Sequence, residues 1–179
     1  MTTDPAAIVY RRASPADIGV IAALHADSWR RHYRGAFSDE FLDHDVWDDR
    51  LTTWTERLQT PVPGTRTIVA EQDGQVIGLV HLVLGDDPTW GALIDNLHVS
   101  HERKRSGIGT QLMSEAARAL LHADPHAGVY LWVLEQNTPA QAFYDRRGGQ
   151  CVERQSRRPD PGHRFRYVWT DPSRLILTD

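Results

Sequence analysis

Apolar and polar positions follow two different periods along this chain, and the changes of period predict alternating strands and helices. In four segments apolar residues recur every three or four positions, which is typical of amphipathic helices. Shorter alternating or continuous apolar runs separate these segments and predict strands. The predicted helices cover residues 14–33, 38–58, 107–122 and 138–148, and the predicted strands cover 8–11, 67–71, 76–84, 92–99, 129–134, 151–155 and 164–169.

The element order β-α-α-β-β-β-α-β-α-β-β predicts an α/β fold in which helices cover a mixed, single-layer sheet. Turn signals separate several of these elements. Asp73-Gly74 is a hairpin dipeptide between two strands, and a second turn is predicted over 85–88. The strand at 129–134 (VYLWVL) is apolar on both faces, which predicts a place in the middle of the sheet.

Composition and charge narrow the class of protein. The chain has 179 residues, so we expect one domain spanning 1–179. The single cysteine excludes an internal disulfide framework, and a net charge of -4 argues against a nucleic-acid partner. No apolar run approaches the ~18 residues of a membrane span, and the N-terminus lacks a signal-peptide pattern. We therefore expect no membrane partner and a cytoplasmic location.

Residues 97–110 (LHVSHERKRSGIGT) carry the first chemical signal. A strand ends, a basic loop with glycines follows, and a helix begins. The first N–H groups of a helix lack partners within it, and the helix dipole adds about half a positive charge there. Gly107 and Gly109 allow the backbone to approach a phosphate closely. The segment predicts a site for a pyrophosphate or a similar anion, although the same glycines would also suit a tight turn.

Residues 135–149 (EQNTPAQAFYDRRGG) carry the second signal. Asn137 follows a buried strand, and Tyr144 lies two helical turns later, so both side chains can face one cleft. An amide can bond the amide groups of an extended ligand, and a tyrosine hydroxyl can donate a proton. Each residue also has a structural interpretation, Asn137 as a helix cap and Tyr144 as a core aromatic.

Together these two segments resemble the GCN5-related N-acetyltransferase (GNAT) superfamily. The acetyl-CoA loop of that family has the pattern Q/R-x-x-G-x-G/A, which corresponds here to Lys104, Arg105, Ser106, Gly107, Ile108 and Gly109. The later family motif matches Asn137, Ala140, Phe143, Tyr144 and Gly148. The chain departs from the family at two positions, since Lys104 replaces Arg or Gln and Gly149 replaces Phe.

The resemblance implies a mostly antiparallel, twisted sheet with helices on both faces and a splay between strands 4 and 5. It implies acetyl-CoA as co-substrate, no metal, and acetyl transfer to a primary amine of a small molecule or peptide by direct attack in a ternary complex. Tyr144 would protonate the leaving thiolate, and a strand-four N–H would hold the oxyanion. The implied cofactor-binding residues are Leu97, Val99, Lys104, Arg105, Ser106, Gly107, Ile108, Gly109, Thr110 and Asn137. A homodimer, common in the family, is one expected assembly.

The reaction needs a proton acceptor, because an alkylamine with a pKa near 10 is mostly an ammonium ion at pH 7. Asp95 is the first candidate and His98 the second, ahead of His81 and Glu71. Ideal alternation places Asp95 and His98 on opposite faces of strand 4, unless a bulge of the kind usual in the family shifts the register.

The acceptor wall is expected from the first two helices and the loop between them, with Trp29, Tyr33 and Phe37 as candidate substrate-binding residues. A different class of protein, a non-catalytic acyl-CoA sensor, would keep the anion loop without needing Tyr144. The presence of this tyrosine favours an enzyme. The pair His98 and His101 does not favour a metal site, because it falls at the junction of a strand and a loop.

Overall fold

Strands and helices follow one another in the order that the sequence predicts. The computed structural model describes residues 6–158 and 160–178. The helices are α1 (Ile18–His32), α2 (Val46–Gln59), α3 (Ile108–Ala123) and α4 (Thr138–Arg146). The strands are β1 (Val9–Arg12), β2 (Thr65–Gln72), β3 (Gln75–Asp87), β4 (Gly91–Val99), β5 (Val129–Leu134), β6 (Gln150–Ser156) and β7 (His163–Trp169).

Several predicted boundaries differ from the observed ones. The helix predicted from residue 38 is a π-helix over Phe41–Asp45 before α2 begins at Val46. The helix predicted from residue 14 begins with a 3₁₀ turn at Pro15–Asp17, in which the Asp17 carboxylate accepts the Ser14 amide at 2.7 Å. The turn predicted over 85–88 lies largely inside β3, which continues to Asp87. The predicted hairpin at Asp73-Gly74 is confirmed, and both residues have the positive φ of a type I′ turn.

The seven strands form one sheet in the order β1-β2-β3-β4-β5-β7-β6. Neighbouring strands are antiparallel except β4 and β5, which are parallel and pair at only two positions, Ala92 with Val129 and Leu93 with Tyr130. Beyond these positions the two strands diverge. The expected splay is therefore present, and it leaves an opening in the middle of the sheet.

Helices cover both faces of the sheet, as expected. On one face α3 packs over β2, β3 and β4, and its Leu112 shares a core with Leu131 of β5 and Tyr167 of β7. Tyr144 of α4 packs against Tyr167 and Trp169 on the same face. On the other face α1 and α2 pack over β2 and β3, where Ile21 and Trp54 are fully buried. The second core contains no residue of β5, β6 or β7.

The departure from the family pattern at Gly149 has a local cause. A Cβ at this position would lie 2.7 Å from Cζ2 of Trp169 and 3.0 Å from Cδ1 of Tyr167. The two aromatic rings of β7 therefore occupy the space that a larger side chain would need. Trp169 is fixed there because its indole N–H donates to the Arg147 carbonyl at 2.9 Å.

Candidate active site

A cavity of about 780 Å³ fills the opening between β4 and β5. Its walls come from both strands, from α1, from the loop before α3 and from α4. Most of the site residues expected from the sequence line it: Tyr33, Asp95, Leu97, His98, Val99, Lys104, Arg105, Gly107, Ile108, Gly109, Thr110, Asn137 and Tyr144. The expected residues that do not line it are Trp29, Phe37 and Ser106.

At one end of the cavity, a row of backbone N–H groups lacks hydrogen-bond acceptors within the described part of the chain. The amide N–H groups from Arg105 to Thr110 have no hydrogen-bond acceptor within the described part of the chain. Arg105 and Gly107 have φ of 66° and 84°, and such left-handed residues curve the backbone into an anion-binding concavity. The helix dipole of α3 adds partial positive charge at the same place. This end of the cavity is suited to phosphate oxygens.

Small residues keep this loop open. Gly107 is the residue before α3, and its positive φ would strain any other side chain. At Gly109 a Cβ would lie 3.5 Å from Phe143 and 3.7 Å from Val99, at the wall of the cavity. The Ser106 hydroxyl turns away and donates to the Arg103 carbonyl at 2.6 Å, so only its backbone is free for a ligand.

Lys104, the only lysine of the chain, is held at the edge of the same loop. Its Nζ donates to Nε2 of His32 at 2.7 Å, which requires that His32 be neutral on that nitrogen. Burial and the adjacent ammonium lower the pKa of His32, in agreement with this arrangement. The last residue of α1 therefore positions the cation that replaces the usual Arg or Gln.

The backbone of β4 offers a free edge to the cavity. The amide of Ser100 donates to the Ile77 carbonyl at 2.9 Å. Because bonded and non-bonded pairs alternate in an antiparallel ladder, the pairs Leu97–Val80 and Val99–Gly78 are the non-bonded ones. The main-chain groups of Leu97 and Val99 therefore point toward the gap rather than toward β3, and an extended ligand could pair with them.

Asn137 and Tyr144 lie on the opposite side of the gap. The Asn137 side chain caps α4, since its Oδ1 accepts the Ala140 amide at 3.4 Å, and this leaves its side-chain NH₂ free to donate. Tyr144 is buried against Tyr167 and Trp169, and burial raises the pKa of its phenol. A phenol in this environment keeps its proton at neutral pH.

A β-bulge brings the two candidate proton acceptors onto one face. His81 pairs with Asn96 and the next residue, Leu82, pairs with Ile94, so Asp95 is the extra residue. Strict alternation would separate Asp95 from His98. With the bulge, both face α1 and α2, because Asp95 contacts Arg57 of α2 and His98 contacts Ser28 of α1.

Asp95 is exposed, and the guanidinium of Arg57 contacts both Asp95 and the next residue, Asn96. The Nη2 of Arg57 donates to Oδ2 of Asp95 at 2.6 Å, and Nη1 donates to Oδ1 of Asn96 at 2.6 Å. The second carboxylate oxygen of Asp95 has no partner within the described residues. Arg57 thus fixes the bulge while one oxygen remains free to accept a proton.

His98 is desolvated and neutral. Its Nδ1 is 3.0 Å from the Ser28 hydroxyl, while its buried Nε2 has no hydrogen-bond partner in the described chain. Its ring packs against fully buried His25, with 4.4 Å between the ring centroids and the planes tilted by 32°. Burial lowers the pKa of His98 to about 3, with the charges of His32, Arg50 and Lys104 acting in the same direction and Asp95 opposing them.

The remaining candidates lie elsewhere. Trp29 and Phe37 stack on each other at 4.8 Å, outside the cavity, while Tyr33 of the same cluster lines the cavity. His81 is buried and shares a hydrogen bond with Thr67 at 2.8 Å, and Glu71 is bound to Arg11. Neither His81 nor Glu71 lines the cavity.

Sequence reasoning missed three residues of the site, Arg57, Ser28 and Trp132. Arg57 and Ser28 reach the site through the packing of α2 and α1 on the sheet, and no local motif contains them. Trp132 lies in the apolar run of β5, but that pattern does not show that its ring faces the cavity. The helical spacing of Ser28 from His25 and His32 was the one available signal.

The described residues contain neither a membrane-spanning helix nor a cluster of metal-binding side chains. Between residues 6 and 178, Pro159 apart, no helix is long and apolar enough to cross a membrane. In the same part of the chain no group of three or more His, Cys, Asp or Glu side chains is arranged to hold a metal ion.

Comparison with known families and proteins agrees with this geometry. Residues 26–149 match the model of the acetyltransferase (GNAT) family. A curated protein of Mycobacterium tuberculosis named "Probable N-acetyltransferase Rv2775" is 32% identical over 146 residues, which cover 80% of each chain.

Solved structures show the same fold. The PaiA N-acetyltransferase of Thermoplasma acidophilum, crystallised with coenzyme A, matches with a TM-score of 0.71 at 19% identity, over 92% of this chain and 100% of that one. NAA60 of Arabidopsis thaliana, crystallised with a bisubstrate analogue, matches with a TM-score of 0.66 at 20% identity, over 91% and 97%.

Proposed function

The chain belongs to the acetyltransferase (GNAT) family, and we propose that it moves the acetyl group of acetyl-CoA to a primary amine of a small molecule or peptide by direct attack in a ternary complex. One observation carries the proposal. The gap between β4 and β5 joins the unclaimed amides of Arg105–Thr110 at one end to Asp95, His98 and Tyr144 in the same cavity. A phosphate site and proton-transfer groups along one channel are what acetyl transfer from a phosphate-bearing thioester requires.

The residues present suit such a donor. The unclaimed N–H groups and Lys104 would hold the pyrophosphate of acetyl-CoA. The free edge of β4 at Leu97 and Val99 would pair with the amides of the pantetheine arm, and the NH₂ of Asn137 would bond to it from the other side. Acetyl-CoA supplies a thioester, whose carbonyl is electrophilic and whose thiolate is the leaving group.

The side chains divide the proton transfers between them. Tyr144 keeps a proton that it can donate to the leaving thiolate. We assign the acceptance of the amine proton to the free oxygen of Asp95, directly or through water, and keep His98 as the second candidate. A β4 backbone N–H near the bulge would donate to the oxyanion. Tyr33, the residue that follows α1, lines the cavity and is the predicted wall residue that would contact the acceptor.

A thiol-release assay over a panel of amines tests the proposal. Acetyl-CoA and purified protein are mixed with small amines, amino acids, polyamines and peptides, and the released coenzyme A is measured. Calorimetry with acetyl-CoA alone gives the affinity of the same preparation for the donor. We expect micromolar binding and amine-dependent thiol release. Binding without release on any amine would contradict transfer and would indicate a non-catalytic acyl-CoA sensor.

A further inference from the structure

Two arginines lie over one wall residue of the cavity. Trp132 of β5 lines the cavity, and the guanidinium carbons of Arg164 and Arg166 lie 4.1 and 4.3 Å from the centre of its ring. All three side chains lie on one face of β5 and β7, where the core formed with α1 and α2 has no member. Of the three residues Trp132 alone lines the cavity, so this face adjoins the cavity at Trp132.

The two guanidiniums differ in their partners. Arg166 has carboxylates on two sides, Glu153 at 2.8 Å and Asp87 at 3.5 Å. Arg164 donates only to the uncharged Oε1 of Gln155, at 2.9 Å through Nε and also through Nη2. No carboxylate lies within ion-pair distance of Arg164 in the described chain.

The surroundings of Arg164 make the lack of a carboxylate partner energetically unfavourable. The side chain is half-buried, and burial lowers the pKa of its guanidinium, with Arg157 and Arg166 acting in the same direction and Glu153 opposing them. Desolvating a cation without an anionic partner is unfavourable, and a bound carboxylate would compensate for it. An arginine fixed by stacking on an aromatic ring is also well prepared to hold a carboxylate through two parallel hydrogen bonds.

Two further guanidiniums lie next to the aromatic cluster that contains Tyr33. Arg157 reaches across from the β6–β7 loop to the Ala36 carbonyl at 3.3 Å and lies over Phe37. Arg50 lies over Trp29 on the opposite side. Both also contact carboxylates, Arg157 that of Asp160 at 3.4 Å and Arg50 that of Asp49. Arg164, which has no such contact in the described chain, is therefore the guanidinium best suited to a carboxylate of the acceptor.

We propose that the acceptor is a primary amine that also carries a carboxylate, as an amino acid does, and that Arg164, stacked on Trp132, binds this carboxylate. The inference rests on the proposed acetyl transfer and narrows its substrate class. Arg164 acts on affinity for the acceptor and takes no part in the chemical step.

The first test uses the unmodified protein. Thiol release is compared for α- and ω-amino acids and for the carboxamide of each. Converting the carboxylate into a carboxamide makes the amine less basic. The carboxamide therefore has the larger free-base fraction and would react faster if the carboxylate were irrelevant. We expect at least one amino acid to be acetylated with kcat/KM about 10- to 100-fold above that of its carboxamide. Carboxamides or polyamines acetylated equally well or better would overturn the proposal.

The second test uses matched variants. Arg164→Gln should raise KM for the carboxylate-bearing amine about 10- to 100-fold, with little change in kcat or in the affinity for acetyl-CoA, and should leave KM for its carboxamide unchanged. For the carboxylate-bearing amine, KM of Arg164→Lys should lie between the values for the wild type and Arg164→Gln. The control is Arg154→Gln on β6, which pairs with Glu135 away from Trp132 and should behave like the wild type. Equal losses for both substrates in Arg164→Gln would contradict a carboxylate site.

A binding measurement separates this inference from the proposed function. If acetyl-CoA binds but no amine of the panel is acetylated, the transfer proposal fails. N-acetylated amino acids and their carboxamides are then titrated into protein saturated with coenzyme A. Tighter binding of the carboxylates, lost in Arg164→Gln, would support the site without any activity, and equal binding would overturn it.

Discussion

At the scale of single residues, Tyr144 has one polar atom and a closely packed ring. The phenol lies against Tyr167 and Trp169, and burial raises its pKa, so its function depends on the hydroxyl while its packing depends on the ring. We expect Tyr144→Phe to lower kcat about 100-fold and to leave the affinity for acetyl-CoA unchanged. Steady-state kinetics and calorimetry check both values, with Tyr10→Phe on β1 as the control. An unchanged kcat would remove Tyr144 from the role of acid.

Asp95 and His98 share one face of β4 and can be separated by paired substitutions. Asp95→Asn keeps an oxygen for Arg57 but cannot accept a proton, so kcat/KM should fall about 100-fold. His98→Gln keeps a polar side chain next to Ser28 and should cost less than tenfold, because His98 is a weak base with a pKa of about 3. Measured losses in the reverse order would assign the proton acceptor to His98.

At the scale of elements, the loop before α3 combines a left-handed backbone conformation at Gly107 with the proposed binding of phosphate. Gly107 has φ of 84° and open space around it, so Gly107→Ala adds no clash and acts through the backbone alone. We expect a loss of about 1 kcal/mol of stability and at least tenfold weaker binding of coenzyme A, because the amides would no longer converge.

The control for this loop is Gly74→Ala in the β2–β3 hairpin. Gly74 has φ of 75° and equally open surroundings, but it lies outside the cavity. Its substitution should reduce stability by a similar amount with unchanged affinity for coenzyme A, as measured by urea unfolding and calorimetry. Equal affinities in both variants would show that the backbone at Gly107 does not shape the phosphate site.

The elements also show which structural features a local sequence pattern can predict. The periodicity of α3, the dipeptide Asp73-Gly74 and the doubly apolar β5 each predict their structure, because each depends on neighbours in the chain. The bulge at Asp95 could not be located in this way, since one extra residue in β4 becomes visible only from its pairing with β3. The loop before α3 was predicted for the same reason that α3 was, because its glycines and the helix start are contiguous.

At the scale of the whole molecule, the site depends on contacts between distant parts of the chain. Arg57 is 38 residues from Asp95, and Ser28 is 70 residues from His98. No spacing rule links such pairs, because they meet only after α1 and α2 pack on the sheet. For the same reason Trp29 and Phe37, expected at the acceptor wall, pack on each other, while only Tyr33 reaches the cavity.

The packing that forms the site also buries histidines, and this makes the stability of the molecule dependent on pH. His25 accepts the Trp54 indole N–H at 3.0 Å, and burial lowers its pKa. Burial, assisted by Arg57, lowers the pKa of His81 to about 4. In the unfolded chain these groups bind protons near pH 6.5, while the folded protein does not, so protons favour unfolding below that pH. Each buried histidine removes about 1.4 kcal/mol of stability per pH unit as the pH falls from 6.5 toward the folded pKa.

Urea unfolding at pH 7.5, 6.5, 5.5 and 4.5 measures this linkage. The unfolding free energy should change little above pH 6.5 and fall progressively below it. His81→Gln removes one of the titrating groups, so its stability should fall less steeply with acid than that of the wild type, whatever its stability at pH 7.5. His122→Gln, at an exposed position near the end of α3, serves as the control and should keep the wild-type slope. If His81→Gln and the wild type lose stability at the same rate, buried His81 is not a source of the acid sensitivity.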